Sequence, residues 1–325
     1  MAKKRILSGM RPTGKLHLGN YVGALENWIK LQDEYENYHL VADYHVLTTD
    51  LSTEEIFTNT IEMVTDWLAA GLDPEKAPMF RQSQIKEHTE LFLIFSMLIT
   101  KARLERNPTL KEQARDLNIE NMTYGHLGYP VLQAADILLY KGEFVPVGED
   151  QVPHIEITRE IARRFNNQYG EVFPEPEPML TIFMRLPGLD GQRMSKSLGN
   201  TILLSDEPEV VKQKLRKAVT DPQKIRKNDP GRPEICLVFN YHKKFNPSEI
   251  PVIEKDCRSG ALGCVDCKLN CSSKINALLA PILEKRKVYE NDPNRVKEIL
   301  IEGEKKAKIV AIQTMSEVHQ KMKIG

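Results

Sequence analysis

No apolar run in the 325 residues approaches the ~18 needed to cross a bilayer. The opening MAKKRIL carries two lysines with no long apolar stretch behind them, so no secretory leader is expected. These absences point to a cytoplasmic protein with no membrane partner. Net charge is missing as well: 45 Lys and Arg balance 45 Asp and Glu, so the chain lacks the overall basic excess of many nucleic-acid binders. Cysteine is scarce, and all five residues lie between 236 and 271. In a cytosolic chain that clustering argues against structural disulfides and for a metal or cluster site. Internal repeats and low-complexity tracts are absent, which leaves an ordinary globular chain long enough for two domains.

What is present begins with an alternation. Residues 4–8 (KRILS) read as a short strand ending at Gly9, and a Gly/Pro-rich turn follows. A helix is expected from near Gly19, with Val22, Leu25 and Ile29 on one face. YHLVAD (38–43) reads as a buried strand. Ser52 and Glu55 form a candidate capping box before a helix that Gly71 closes. Further strands are expected at 77–81 and 144–147, and helices at 91–103, 132–140 and 154–165. Strands alternating with helices predict an α/β fold with a doubly wound parallel sheet, whose ligands bind beyond the carboxyl ends of the strands. From about Glu207 the patterns turn helical, ending in one long charged helix or a broken pair over 295–322. The boundary is expected in the loop 187–200, giving parts 1–190 and 191–325. Eight basic residues crowd 212–232 against Asp221 and Asp229; taken alone, this is best read as a solvated helix face.

Gly9-Met-Arg-Pro-Thr-Gly14-Lys15-Leu16 nearly fits the phosphate loop G-x4-G-K-[ST]. Leu16 offers no hydroxyl to Mg²⁺, however, and Pro12 removes a backbone donor, so a P-loop NTPase or kinase is a poor fit. Further on, Pro12-Thr13-Gly14-Lys15-Leu16-His17-Leu18-Gly19-Asn20 sets His17 where a helix N-terminus would favour phosphate. Alone, it could equally be a helix start with an incidental histidine. Arg193-Met194-Ser195-Lys196-Ser197 lies in a Gly-rich loop that could close over a triphosphate. In Tyr129-Pro-Val-Leu-Gln133-Ala-Ala-Asp136, the carboxylate is the odd residue of an apolar segment. It needs a donor, either a ligand N–H or O–H or a neighbouring arginine or backbone amide. Gln133, three residues earlier, can face the same site.

These segments resemble the signature elements of class I aminoacyl-tRNA synthetases: HLGN for the "HIGH" element and RMSKS for the "KMSKS" loop. Gly148-Glu149-Asp150-Gln151 resembles the "GEDQ" stretch of the tryptophan branch, and Asp43-Tyr44-His45 its D-x-H turn. The resemblance covers residues 1–200 well and the helical part more weakly. It implies a Rossmann-like catalytic domain (1–190), then the MSKS loop and a helical anticodon-binding domain (191–325). The implied reaction joins L-tryptophan to ATP as an adenylate and then to tRNA(Trp), with Mg²⁺ on the phosphates and the basic stretch helping to hold the tRNA. His17 and Lys196 would meet the transition state. Arg11, Pro12, Thr13, Gly19, Asn20, Gly148, Glu149, Asp150, Met184, Arg193, Met194, Ser195, Lys196 and Ser197 would surround ATP. Leu7, His45, Tyr129, Gln133, Asp136 and Gln151 would form the tryptophan pocket. A homodimer is implied. Two departures keep the tyrosine branch as an alternative: Arg11 stands where many tryptophan enzymes have Gln, and Gln133 where many have an apolar residue such as Met. Leu7 favours tryptophan, because tyrosine enzymes place a Tyr there. A non-catalytic RNA-binding relic would show damaged ATP motifs, and these are intact.

The cysteines run C-x20-C-x6-C-x2-C from Cys236 through Cys257 and Cys264 to Cys267, with Cys271 as a spare. Spacing alone favours a structural zinc; four thiolates also suit a [4Fe–4S] cluster. The resemblance extends to a subset of tryptophan enzymes that carry such a cluster in the anticodon-binding domain, which tips the reading toward iron and sulfur. The family's first gap is slightly longer.

Overall fold

The computed structural model describes residues 3–116, 119–180 and 186–324. Five strands form one sheet: β1 (Arg5–Met10), β2 (Glu36–Val41), β3 (Met79–Arg81), β4 (Phe144–Val147) and β5 (Glu177–Leu180). Every pairing is parallel and the order is β3-β2-β1-β4-β5. The chain order reverses between β1 and β4, the point at which such sheets open a crevice for ligands. The doubly wound α/β expectation is met.

β1 runs on past Gly9, where the sequence suggested a turn. Gly9 and Met10 pair with Leu40 and Val41, and a Cβ on Gly9 would lie 2.6 Å from the Leu40 carbonyl oxygen. This glycine serves close approach between strands rather than chain reversal.

Helix α1 (Ile56–Ala70) begins later than the expected capping box. The Ser52 amide is taken by Asp50 Oδ1 at 2.9 Å, an Asx turn that competes with capping. Its end matches expectation, with Gly71 left-handed at φ 116°. The helix expected over 91–103 is broken into α2 (Glu87–Ser96) and a short turn, because Thr100 is extended and caps Arg103. Helix α3 (Tyr124–Leu139) starts earlier than expected, capped by Thr123 and tolerating Pro130. Near the N-terminus the helical stretch 18–31 contains a π-turn at Tyr21–Leu25. That extra residue rotates the buried face, so Trp28 is fully buried while Ile29 is only partly so.

Helix α4 (Val152–Tyr169) completes the first part. The helices that follow are α5 (Pro208–Lys217), α6 (Leu237–Phe245), α7 (Ile250–Ser259), α8 (Cys264–Asn291) and α9 (Pro293–Met322). Two cores flank the sheet. One gathers Trp28, Met63 and Trp67 with Leu215, Ile275 and Leu279; the other gathers Leu7, Phe80, Phe95 and Phe165 with Ala307 and Met315. The last helix enters both, the first through Val296, Ile299 and Leu300 and the second through Ala307 and Met315. It lies along the edge strand β3: Gly303 sits against Met79 with no room for a side chain, and Arg81 pairs with Glu304 at 2.6 Å. No helix among the described residues is long and apolar enough to cross a membrane.

Candidate active site

A cavity of about 680 Å³ opens at the carboxyl ends of β1, β2 and β4. Leu7, Arg11, His45, Tyr129, Gln133, Asp136, Gly148, Asp150, Gln151 and Arg193 line it, so residues scattered over nearly 190 positions of sequence meet there. Glu149 lies exposed on the short turn Glu149–Gln151 beside it. Met184 lies outside the described residues.

Asp136 is 2% exposed at the cavity's inner end. Oδ1 accepts from Gln82 Nε2 and His88 Nδ1, both at 2.7 Å, and Oδ2 accepts from His45 Nε2 at 3.0 Å. Burial pushes this carboxyl up, but the hydrogen bonds and charges of His45 and His88 outweigh it and the pKa is lowered. The arginine or backbone partner that the sequence left open is instead a pair of histidines and a glutamine. Sequence reasoning missed Gln82 and His88. Gln82 follows β3 directly, at the strand end where such sheets bind ligands, and that position was an available signal. His88 in turn accepts from the Tyr140 hydroxyl at 2.9 Å. A carboxylate has about four acceptor directions. Three are used here, which leaves one on Oδ2 at the cavity wall. Leu7, 4% exposed, makes part of that wall apolar.

The second group assembles where the first loop meets the Arg193–Ser197 segment. His17 caps the following helix: its Nδ1 accepts the Asn20 amide at 3.2 Å, and Asn20 Oδ1 accepts the His17 amide at 3.1 Å. Burial, then the Lys196 charge, lowers the His17 pKa to about 4. The ring is therefore neutral near pH 7, with its proton on Nε2, a single donor directed away from the helix. Lys196 Nζ donates to the carbonyls of Thr13 and Lys15, the latter at 2.9 Å, so the loop stands folded down on Pro12–Lys15. Burial lowers the Lys196 pKa. Ser195 and Ser197 hydroxyls share a 2.8 Å hydrogen bond. Asn200, another missed residue, stitches the loop by accepting the Ser195 amide at 2.8 Å and donating to the Arg193 carbonyl at 3.0 Å. At Gly19 the His17 ring and the Met194 thioether each lie 2.9 Å from where a Cβ would be, so only glycine fits there.

Half of the basic stretch is paired with acidic residues. Lys212, Lys214, Lys227 and Arg232 pair with Glu209, Asp206, Asp266 and Asp221, while Arg216, Lys217 and Arg226 are exposed.

The cysteines are all free. Cys236 caps α6, Cys257 lies on α7, and Cys264, Cys267 and Cys271 lie in the first turns of α8. Burial, with Cys236, Cys257 and Cys264 nearby, pushes the Cys267 thiol up to about 12, which places four sulfurs in one another's field. Among the described residues no three His, Cys, Asp or Glu side chains stand together closely enough to hold one metal ion. The donor set is all-thiol, a ligand chemistry that zinc and iron–sulfur groups share. His242, unnoticed in the sequence, donates from Nε2 to the Cys267 carbonyl at 3.1 Å and has its Sγ at 3.4 Å.

The family model for class I tRNA synthetases (W and Y) matches residues 2–280. Tryptophan–tRNA ligase of Thermotoga maritima is 51% identical over 98% of this chain and 99% of its own length. That of Aquifex aeolicus is 46% identical over 98% and 100%. Tryptophanyl-tRNA synthetase from Campylobacter jejuni, complexed with ADP and tryptophan, superposes with a TM-score of 0.87 at 33% identity, covering 98% of this chain and 100% of that one.

Proposed function

Because this chain belongs to the class I tRNA synthetases of the tryptophan and tyrosine branch, we propose that it is a tryptophan–tRNA ligase. The observation that carries the choice of amino acid is the one unused acceptor direction of buried Asp136 beside the apolar wall of Leu7. An indole N–H satisfies it, and a site built on one such contact discriminates strongly. His45, Tyr129, Gln133 and Gln151 complete this pocket.

ATP, as its Mg²⁺ complex, lies across Arg11–Thr13, Gly19–Asn20, Gly148–Asp150 and the Arg193–Ser197 loop, with Met184 among its neighbours. The tryptophan carboxylate attacks the α-phosphorus and pyrophosphate leaves. Neutral His17 donates to the phosphate and Lys196 swings from the Thr13 and Lys15 carbonyls onto the departing charge; no protein nucleophile is used. The 2′-hydroxyl of the terminal ribose of tRNA(Trp) then attacks the carbonyl carbon of the adenylate, taking the tryptophanyl group as an ester while AMP leaves. Residues 1–190 carry this chemistry, and 191–325 the moving loop and the tRNA grip, with exposed Arg216, Lys217 and Arg226 toward the RNA.

Leu93 on α2 and Met97 just past its end, both exposed, and exposed Tyr124 at the start of adjoining α3 support a homodimer. Cys236, Cys257, Cys264 and Cys267 would hold a [4Fe–4S] cluster, with zinc as the alternative, and the group would order the helical part. The enzyme works in the cytoplasm.

Pyrophosphate exchange with each of the twenty amino acids is the test. Tryptophan alone should drive it, and Asp136→Ala should lose most of that rate. Exchange driven by tyrosine would overturn the assignment.

A further inference from the structure

Asp66 has no exposed surface, lies within α1, and plays no part in the scheme above. Its Oδ2 accepts the backbone N–H of Leu16 at 2.6 Å, and its Oδ1 accepts from Nη1 of Arg286, 220 residues away on α8. Arg286 is 1% exposed and also pairs with Glu62 and, at 2.9 Å, with Glu290. A buried carboxylate needed only for its ion pair would leave its second oxygen to any available donor. Here that oxygen takes the amide of the residue immediately before His17. The Asp66 charge also reaches Lys196, opposing the effect of burial on that ammonium. The surrounding backbone is held too: Leu204 donates to the Leu16 carbonyl and Leu18 to the Ile202 carbonyl, both at 2.9 Å.

We propose that Asp66 and Arg286 are positioning residues for ATP activation: the buried pair fixes the Leu16–His17 backbone, and with it the direction of the His17 donor. Neither residue touches substrate. Arg286 sits on the helix whose first turns carry Cys264 and Cys267, so the pair is also where the helical part grips the ATP loop. The inference rests on the reading of His17 and Lys196 as ATP contacts.

Two conservative variants of the full-length protein test it. Asp66→Asn keeps the shape and an oxygen for the Leu16 amide but removes the charge. Arg286→Lys keeps the charge but loses the planar fork. Each is assayed by tryptophan-dependent pyrophosphate exchange, with labelled-tryptophan dialysis for binding and urea denaturation for folding. We expect kcat/KM for ATP to fall by about tenfold or more while the tryptophan Kd stays within about twofold. His17→Ala is run beside them. If it leaves exchange unchanged, the reading of the ATP loop fails, and the inference with it. If His17→Ala abolishes exchange while folded Asp66→Asn and Arg286→Lys exchange like the parent, the positioning role alone is overturned. Parallel losses of ATP kinetics and tryptophan binding, or failure of both variants to fold, would assign the pair to stability and overturn it equally.

Discussion

The hydroxyl of Tyr129 lies 2.6 Å from Nε2 of His154, and the direction of that hydrogen bond is fixed by the Thr109 and Asn107 amides behind His154. The Thr109 amide donates to Asn107 Oδ1 at 3.0 Å, which turns the Asn107 amide so that its Nδ2 donates to His154 Nδ1 at 2.9 Å. The His154 proton must then sit on Nε2, and His154 donates to Tyr129. The phenol keeps its own proton for the cavity. His154→Phe should free that hydroxyl to rotate and raise the KM for tryptophan by about five- to tenfold, the worth of one hydrogen bond, with KM for ATP unchanged. Steady-state exchange kinetics measure both; an unchanged tryptophan KM would show that the relay orients nothing.

Lys196→Ala should lower the rate of activation by about a hundredfold or more and weaken ATP binding only slightly. In the present arrangement its ammonium bonds to backbone carbonyls, so its charge is held in reserve for the departing pyrophosphate. Single-turnover adenylate formation over a range of ATP separates the two effects. Weakened binding at an unchanged rate would make the loop a holding element only.

Protein purified anaerobically should be brown, absorb broadly near ~400 nm, and contain iron and sulfide. Cys264→Ser should bleach it and reduce tRNA charging more than tryptophan-dependent exchange. Colourless protein with one zinc per chain would decide for the simpler site.

Stability should fall as the pH drops below about 6.5. Burial lowers His39 to about 3 and His154 to about 4, and burial with the Lys196 charge lowers His17 to about 4, so between their unfolded value and those values the unfolded chain binds three protons that the folded one refuses. Asp66 acts in the opposite sense: burial raises it to about 6 against the pull of Arg286 and the Leu16 amide, so the folded chain takes up one proton there. The net of about two protons at pH 5 corresponds to at most about 2.7 kcal/mol lost per pH unit, and to less where solvent screens half-buried His17. Urea midpoints at pH 7 and pH 5 measure it, and a higher midpoint at pH 5 would refute the account.

Much of the site was legible because its chemistry breaks local patterns. Asp136 stands out as a charge in an apolar run, and the strand, turn and helix around His17 follow from Gly and Pro spacing. Its partners were less legible because they are distant in sequence: Gln82 and His88 reach Asp136 from 54 and 48 residues away, and no local rule joins Asp66 to Arg286. The π-turn at Tyr21–Leu25 escaped because helical periodicity assumes a constant pitch; one inserted residue moved burial from Ile29 to Trp28. Gly9 was misread because a glycine that ends a strand and one that lets two strands approach look alike in sequence.

The seating of α9 on β3 constrains how the protein is made. β3 is the sheet's edge, three residues long, and Gly303 and Glu304 are what cover it. On the ribosome, strands β1 to β5 are all synthesised before that cover exists, and the cores under Phe80 and Phe95 still lack Ala307, Ala311 and Met315. The nascent sheet must wait with an open edge until the chain past Met322 has cleared the exit tunnel. Chaperone occupancy should therefore be greatest on chains stalled anywhere beyond residue 180, while an unfinished edge can recruit a neighbour's strand.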